Sequence, residues 1–254
     1  MRAATRVEHV ELGRFHAPEG ASSCPGIVLI HDVWGLSPHS EALAADLAAE
    51  GHGVLELDLY RDRDGPPSED PGAFIRTLPD REILALIDRG AEWLAVQPLC
   101  RGRRIGVVGV CMGGTYALLA ATHSDRFAAA APFYGILSYD TGMLESPTGR
   151  DRERKPVSPI EAAAQLRMPL HAFFGGDDAF VPEADVAALE SGLAKSGQRF
   201  VIERFEGAGH AFLNKTRAPA FRADASARAW SSLVPFLRKE LGPELESGGG
   251  AEPA

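Results

Sequence analysis

The sequence has few cysteines, no long apolar run and no block of basic residues, and each absence excludes a class of protein. Three cysteines, Cys24, Cys100 and Cys111, are too few for a disulfide framework in a chain of 254 residues. No spacing of cysteine and histidine resembles a zinc site, so we expect no metal. No apolar run could span a bilayer, and the first residues lack the apolar segment of a secretory signal. We therefore expect a cytoplasmic protein that does not associate with membranes.

Positive charge is also scarce. With 26 Lys and Arg against 35 Asp and Glu, the formal net charge is −9, which argues against a nucleic-acid partner. The apolar content of 45% is ordinary for a globular protein. The length suits one α/β domain, which we place at residues 1–241. Residues 242–254 are rich in Gly, Glu and Pro, so we expect a flexible tail there. No pattern specifies an oligomeric state.

Apolar runs alternate with amphipathic helical patterns along the chain. An edge strand or hairpin is expected over 6–16, and the later continuous runs predict strands buried on both faces. Those predicted strands are residues 26–31, 53–59, 105–110, 127–134, 169–174 and 200–205. The alternation predicts a mostly parallel, doubly wound sheet with helices on both faces. Two polar connections, 61–72 and 138–159, interrupt it, and the second is long enough to be a lid or disordered.

Helix boundaries follow from capping residues and apolar spacing. Ser37, followed by proline, predicts the start of the first helix. Asp80 is expected to cap the second long helix in the same way. The final helix is expected at about 218–241, with Phe221 and Trp230 buried on its inner face.

The stretch from Gly109 to Gly113 has the form of a nucleophile elbow, in which a strand turns sharply into a helix. Cys111 stands where serine is usual in Gly-x-Ser-x-Gly. The flanking glycines allow the close backbone approach that this strained turn requires. A sulfur at a helix N-terminus is favoured as a thiolate. The alternative is a strand end with a packed, inert cysteine, because free cysteine is often buried.

Two further residues complete a catalytic constellation with Cys111. Asp178 and His210 each follow a predicted strand, and nucleophile, acid and histidine occur in the order expected for α/β-hydrolases. His210 can accept the thiol proton, and Asp178 can fix the tautomer of the imidazole. The backbone N–H groups of Val33 and Met112 are the expected oxyanion donors. Taken singly, the aspartate could be a turn or capping residue, and the histidine a core residue.

Several motifs together resemble the dienelactone hydrolase family over most of residues 25–241. The resemblance implies an α/β-hydrolase fold, a cysteine nucleophile, Asp178 rather than Asp177 as the acid, and no cofactor. It also implies hydrolysis of esters or lactones through an acyl-thioester intermediate. The matching segments are Gly109-Val110-Cys111-Met112-Gly113-Gly114, Gly176-Asp177-Asp178-Ala179-Phe180-Val181-Pro182, Gly209-His210-Ala211-Phe212-Leu213-Asn214, Leu57-Asp58-Leu59-Tyr60 and Phe133-Tyr134-Gly135.

The sequence departs from this family at two places. Asp32 stands where the family has a glutamate that takes part in activating the thiol. Its shorter side chain leaves two interpretations open, activation of Cys111 or ordering of the loop that carries Val33. Asn214, with Lys215 and Arg217 near it, stands where members that cleave dienelactone have an arginine for the substrate carboxylate, and asparagine does not replace a bidentate guanidinium. Arg76 and Arg81 are candidates for the other positive charge, and dienelactone itself is disfavoured as the substrate.

The sequence therefore predicts a hydrolase of a small ester or lactone, whose only partner is that substrate. Trp34, Arg81 and Tyr134 are the candidate substrate-binding residues. One alternative is a ligand-binding or scaffold protein that has this fold without turnover. Another is a redox-sensing thiol, which usually needs a resolving cysteine nearby. Cys100 is expected at the end of the sheet opposite Cys111, which disfavours that alternative.

Overall fold

An eight-stranded sheet forms the centre of the computed structural model, which describes residues 4–63, 65 and 69–242. The spatial order is β1-β2-β4-β3-β5-β6-β7-β8, in which β1, β2 and β4 pair antiparallel and all other neighbours pair parallel. This confirms the predicted mostly parallel sheet, and β1 and β2 form the hairpin expected near 6–16. The strands are β1 Thr5–Val10, β2 Gly13–Pro18, β3 Gly26–Ile30, β4 Gly53–Leu57, β5 Ile105–Val110, β6 Ala129–Phe133, β7 Leu170–Gly175 and β8 Phe200–Phe205.

Helices cover both faces of the sheet, as predicted. They are α1 Pro38–Ala49, α2 Pro71–Thr77, α3 Asp80–Val96, α4 Met112–His123, α5 Pro159–Ala162, α6 Glu183–Leu193 and α7 Ala223–Leu241. Because crossovers between parallel strands are right-handed, α1 lies on one face, with α7, and α3, α4 and α6 lie on the other. Among the helices within the described ranges, none has both the length and the apolar character that a bilayer crossing requires.

The sequence explains the central strands. Every residue of β3, β4, β5, β6 and β7 is buried, which is why these strands are mainly apolar and do not alternate. Glu56 of β4 and His171 of β7 are buried polar exceptions. The predicted start of α1 is confirmed, since the Ser37 hydroxyl accepts a hydrogen bond from the Ser40 N–H. The single domain at 1–241 stays a prediction, and most of the expected tail, residues 243–254, lies outside the described residues.

The prediction for Asp80 was wrong. Helix α3 begins at Asp80 itself, after Pro79, and the carboxylate caps no backbone N–H. Its Oδ1 instead accepts a hydrogen bond from Lys155 Nζ at 2.6 Å, and both side chains are buried. An aspartate that caps a helix and one that pairs with a distant lysine can have the same neighbours in sequence. Only the contact with Lys155 distinguishes the two roles here.

The beginnings of two other helices also differ from expectation. Helix α7 starts at Ala223 rather than near 218, because the preceding turns bring the Arg222 N–H to the carbonyl of Phe212. Phe221 therefore precedes the helix, and Phe221 and Trp230 are both only partly buried rather than buried as predicted. Helix α2 begins inside the predicted 61–72 connection, where Asp70 Oδ1 accepts a hydrogen bond from the Ala73 N–H at 2.8 Å.

The long connection over 138–159 is anchored to the helices beneath it. Lys155 Nζ donates to Asp80 Oδ1 and, at 2.8 Å, to the hydroxyl of Tyr116 on α4. Its ammonium also lies 5.1 Å from the ring centroid of Tyr139. Arg150, whose side chain is 3% exposed, contacts carboxylates within the connection and on α5. The segment is irregular, as predicted, but buried charge holds it in place.

We predict that Lys155→Met lowers the free energy of unfolding by about 3–5 kcal/mol, because it leaves the buried Asp80 carboxylate without its cation. Urea denaturation measures the change. The matched control is Arg154→Met, which removes an exposed ion pair with Asp151 and should cost about 0.5 kcal/mol or less. Equal losses in the two variants would contradict the anchoring role of Lys155.

Candidate active site

The turn between β5 and α4 has the geometry of a nucleophile elbow. Cys111 has φ 56° and ψ −120°, a region that non-glycine residues rarely occupy. A Cβ on Gly109 would collide with the carbonyl of Gly113, and one on Gly113 would collide with the carbonyl of Ile30. The Cys111 N–H donates to the carbonyl of Phe133 at 3.0 Å, which ties the elbow to β6. The glycines therefore permit the close packing that holds the turn.

Cys111 lies at the N-terminus of α4, where no side chain caps the helix. The sulfur thus faces the positive end of the helix dipole, an environment that favours negative charge. The residue is 7% exposed, so the sulfur is largely shielded from solvent but not sealed from it.

Asp178 and His210 follow β7 and β8 and contact each other. His210 Nδ1 lies 2.8 Å from Asp178 Oδ2, and Asp178 Oδ1 accepts a hydrogen bond from the Phe180 N–H at 2.9 Å. Asp177 is exposed, so Asp178 is the aspartate that holds the imidazole. A carboxylate at Nδ1 keeps the proton on that nitrogen and leaves Nε2 available as a base.

The free nitrogen of His210 is Nε2, and the imidazole lies close enough to Cys111 for the charge of the sulfur to affect its pKa. Nε2 is buried and has no partner with full hydrogen-bond geometry among the described residues. Burial disfavours the imidazolium, but the negative charge of Cys111 and the hydrogen bond to Asp178 outweigh it and raise the pKa of His210 to about 10. The rings of Tyr134 and Phe180 each contact the imidazole edge-on, with centroids 5.1 Å away. These contacts restrict rotation of the ring.

The expected oxyanion donors are free in the described part of the chain. No hydrogen bond there engages the N–H of Val33 or of Met112. The peptide after Val33 is fixed at both ends, since its carbonyl accepts from the Tyr60 hydroxyl at 2.9 Å and its N–H, on Trp34, donates to Asp32 Oδ1 at 2.9 Å. The Tyr60 hydroxyl also contacts the Met112 sulfur at 3.5 Å. Tyr60 thus connects the two residues that carry the free N–H groups.

Asp32 is buried, and its side chain accepts a hydrogen bond from the Trp34 N–H. Burial raises the pKa of its carboxyl, and the hydrogen bond from the Trp34 N–H and the charges of Arg217 and His210 lower it in part. No hydrogen bond joins Asp32 to Cys111 in the described residues. The ordering of the Val33 loop therefore has direct support, and activation of the thiol has none beyond proximity to His210.

The candidate substrate-binding residues differ in placement. Tyr134 adjoins His210, and its buried hydroxyl has no hydrogen-bond partner within the described ranges. Trp34 follows the Val33 loop and is 43% exposed, as is Phe180 beside the imidazole. Arg81 is exposed in the first turn of α3, and among the described residues no hydrogen bond or ion pair connects it to Cys111, Asp178 or His210. Tyr60 and Phe180 were not predicted as site residues, although both lie inside segments that resemble the family.

The other residues considered for a substrate carboxylate are mostly engaged elsewhere. Asn214 is buried, and its Oδ1 accepts hydrogen bonds from the N–H and hydroxyl of Thr216 at 3.0 and 2.7 Å. Arg76 donates to two backbone carbonyls of the 138–159 connection at 3.3 Å. Arg217 is exposed and near enough to Asp32 to influence its pKa. Within the described ranges no group of three His, Cys, Asp or Glu side chains is arranged to hold a metal ion.

Comparisons with known proteins agree with this arrangement. The model of the dienelactone hydrolase family matches residues 13–241. A carboxymethylenebutenolidase from Rhodococcus opacus is 31% identical over 234 residues, covering 89% of this chain and 85% of the relative. A Bradyrhizobium protein named a probable 2-oxo-3-(5-oxofuran-2-ylidene)propanoate lactonase is 30% identical over 220 residues, covering 85% of this chain and 84% of its own. The fold is also that of a dienelactone hydrolase-like promiscuous phosphotriesterase from metagenomic libraries, with a TM-score of 0.75, 20% identity, and coverage of 95% of this chain and 100% of that chain.

Proposed function

The chain belongs to the dienelactone hydrolase family, and we propose that it hydrolyses a small ester or lactone with Cys111 as the nucleophile. The observation that carries the proposal is the imidazole of His210, held at Nδ1 by Asp178 while Nε2 stays free beside Cys111. A thiol needs such a base because only the thiolate is strongly nucleophilic.

The raised pKa of His210 favours a resting pair in which the thiol proton of Cys111 has already passed to His210 Nε2. In the first half of the reaction, the thiolate sulfur of Cys111 attacks the substrate carbonyl carbon. The resulting oxyanion accepts hydrogen bonds from the N–H groups of Val33 and Met112. When the tetrahedral intermediate collapses, the bond to the leaving oxygen breaks and His210 returns a proton to that oxygen. An acyl thioester on Cys111 remains, and in a lactone the released hydroxyl stays attached to it.

In the second half, water attacks the thioester carbonyl. His210 Nε2 takes a proton from this water, and the same two N–H groups stabilise the second oxyanion. The carbon–sulfur bond then breaks, releasing the carboxylic acid and restoring Cys111. Asp178 holds Nδ1 of His210 and stabilises the imidazolium that takes part in each half.

The side chains around the cluster favour a small substrate with an apolar part. Trp34 and Phe180 are large apolar residues that are exposed beside the catalytic groups, and exposed apolar surface at a reactive site is suited to apolar substrate groups. The names of the two relatives described above indicate that those proteins act on a butenolide or a lactone. Asn214 is buried, its Oδ1 is engaged by Thr216, and its side chain lacks the bidentate guanidinium that suits a substrate carboxylate.

No observation favours a ligand-binding or scaffold protein without turnover. Ligand binding alone does not require an imidazole whose free nitrogen lies beside a thiol at a strained turn. The cytoplasmic location stays a prediction of the sequence.

We predict that Cys111→Ala lowers kcat for small p-nitrophenyl esters and lactones by about 10³-fold or more, since the nucleophile is lost. Steady-state rates of hydrolysis give the comparison. Cys24→Ala, at the other end of the sheet, is the matched control and should keep the wild-type kcat. Undiminished hydrolysis by the Cys111 variant would refute the assignment of the nucleophile.

The two interpretations of Asp32 predict different results for two substitutions. Asp32→Asn keeps an oxygen that accepts from the Trp34 N–H, whereas Asp32→Ala leaves that N–H unpaired and the Val33 loop unsupported. We expect the asparagine variant to keep most of its kcat and the alanine variant to lose about 10–100-fold, because a displaced oxyanion donor raises the barrier. If both variants lose activity equally, the charge of Asp32 matters and the loop-ordering role is wrong.

A further inference from the structure

A second pair of cysteines lies at the edge of the sheet opposite Cys111. Cys24 precedes β3 and Cys100 precedes β5, and these two strands are parallel neighbours. Both residues are buried, at 3% and 0% exposure, and both thiols are free. The Cys24 N–H donates to the carbonyl of Leu99 at 2.9 Å. This bond brings the backbones of the two segments together next to the two cysteines, and such close approach is what a disulfide requires.

The two thiols affect each other's pKa, and in opposite directions. A side-chain hydrogen bond from Cys100 lowers the pKa of Cys24, against the effect of burial, and the charge of Arg103 lowers it further. The same hydrogen bond, together with burial, raises the pKa of Cys100. Cys24 is therefore the partner that forms a thiolate more readily, and Cys100 is the partner that keeps its proton.

The packing around the pair holds the two sulfurs together. A Cβ on Gly53 of β4 would lie 2.6 Å from the Cys100 sulfur and 3.2 Å from the ring of Phe15. Only glycine at that position leaves room for the Cys100 side chain. Enclosure on this side confines the Cys100 side chain, and residues 21–23, which precede Cys24 in the chain, are exposed.

We propose that Cys24 and Cys100 form a redox-modification site that hydrogen peroxide converts to an intramolecular disulfide. The Cys24 thiolate attacks one peroxide oxygen, the O–O bond breaks, and the departing hydroxide takes a proton, giving a sulfenic acid and water. Cys100 then loses its proton and attacks the Cys24 sulfur, and the S–O bond breaks to release a second water. The two thiols lose two electrons in total, and one peroxide is reduced to two waters.

This site is separate from the proposed hydrolase site. Cys111 lies at the carboxyl end of β5, whereas Cys100 precedes the amino end of the same strand. The bond would join the segments that enter β3 and β5 without touching the catalytic loops. A crosslink between distant residues restricts the unfolded chain, so oxidation should stabilise the fold.

To test the proposal, the full-length Cys111→Ala protein is treated with hydrogen peroxide under native conditions. Cys24 and Cys100 are then the only thiols that can be oxidised. The intact mass should fall by two hydrogens, and no thiol should be alkylated after denaturation. Trypsin should release a crosslinked product of residues 15–61 and 90–101. Dithiothreitol should reverse each change, and the Tm of the oxidised protein should be higher by about 5–10 °C.

Wild-type protein provides a second measurement, because the same crosslinked product should form whether or not Cys111 is oxidised. The double variant Cys24→Ala, Cys111→Ala is the matched control and should show no loss of two hydrogens. The proposal is overturned if both thiols remain alkylatable after peroxide, if Cys24 is carried to the sulfinic acid while Cys100 stays reduced, or if the disulfides formed join separate chains.

Discussion

The strained backbone at Cys111 is the constraint on which the rest of the site depends. A non-glycine residue in this conformation costs about 1–3 kcal/mol and persists only where the surroundings hold it. Here they do, because Gly109 and Gly113 let the end of β5, the start of α4 and the end of β3 pack backbone against backbone. The turn brings the sulfur to the carboxyl edge of the sheet, where the loops that follow the other strands also converge.

Each remaining part of the site comes from a different strand end and is held by its own bonds. The loop after β3 is fixed to the loop after β4 by Tyr60 and also by His31, whose Nε2 accepts a hydrogen bond from the Leu59 N–H at 3.1 Å. Burial lowers the pKa of His31, which suits a neutral ring that accepts at one nitrogen. The imidazole of His210 is fixed by Asp178 and by aromatic rings on two sides. Such preorganised groups need little rearrangement when charge develops on the substrate.

The elements that could be predicted from the sequence are those with a local cause. Continuous apolar runs predict buried strands wherever they occur, and Gly-x-Cys-x-Gly specifies its own turn. Asp80 could not be understood locally, because its partner Lys155 lies 75 positions away. Tyr60 could not be predicted for a similar reason, since its hydroxyl donates a hydrogen bond to the carbonyl of Val33, 27 positions earlier. Family membership is established, and the roles of the individual catalytic residues are the proposal.

The central claim is that the imidazole of His210 acts on the sulfur of Cys111, and the rate at which iodoacetamide alkylates Cys111 tests it most directly. The raised pKa of His210 keeps the imidazolium charged up to about pH 10, where it stabilises a neighbouring thiolate. We expect His210→Asn to slow alkylation of Cys111 at pH 7 by about tenfold or more, because the variant has no imidazolium to stabilise the thiolate. Equal rates in the wild type and the variant at neutral pH would contradict it.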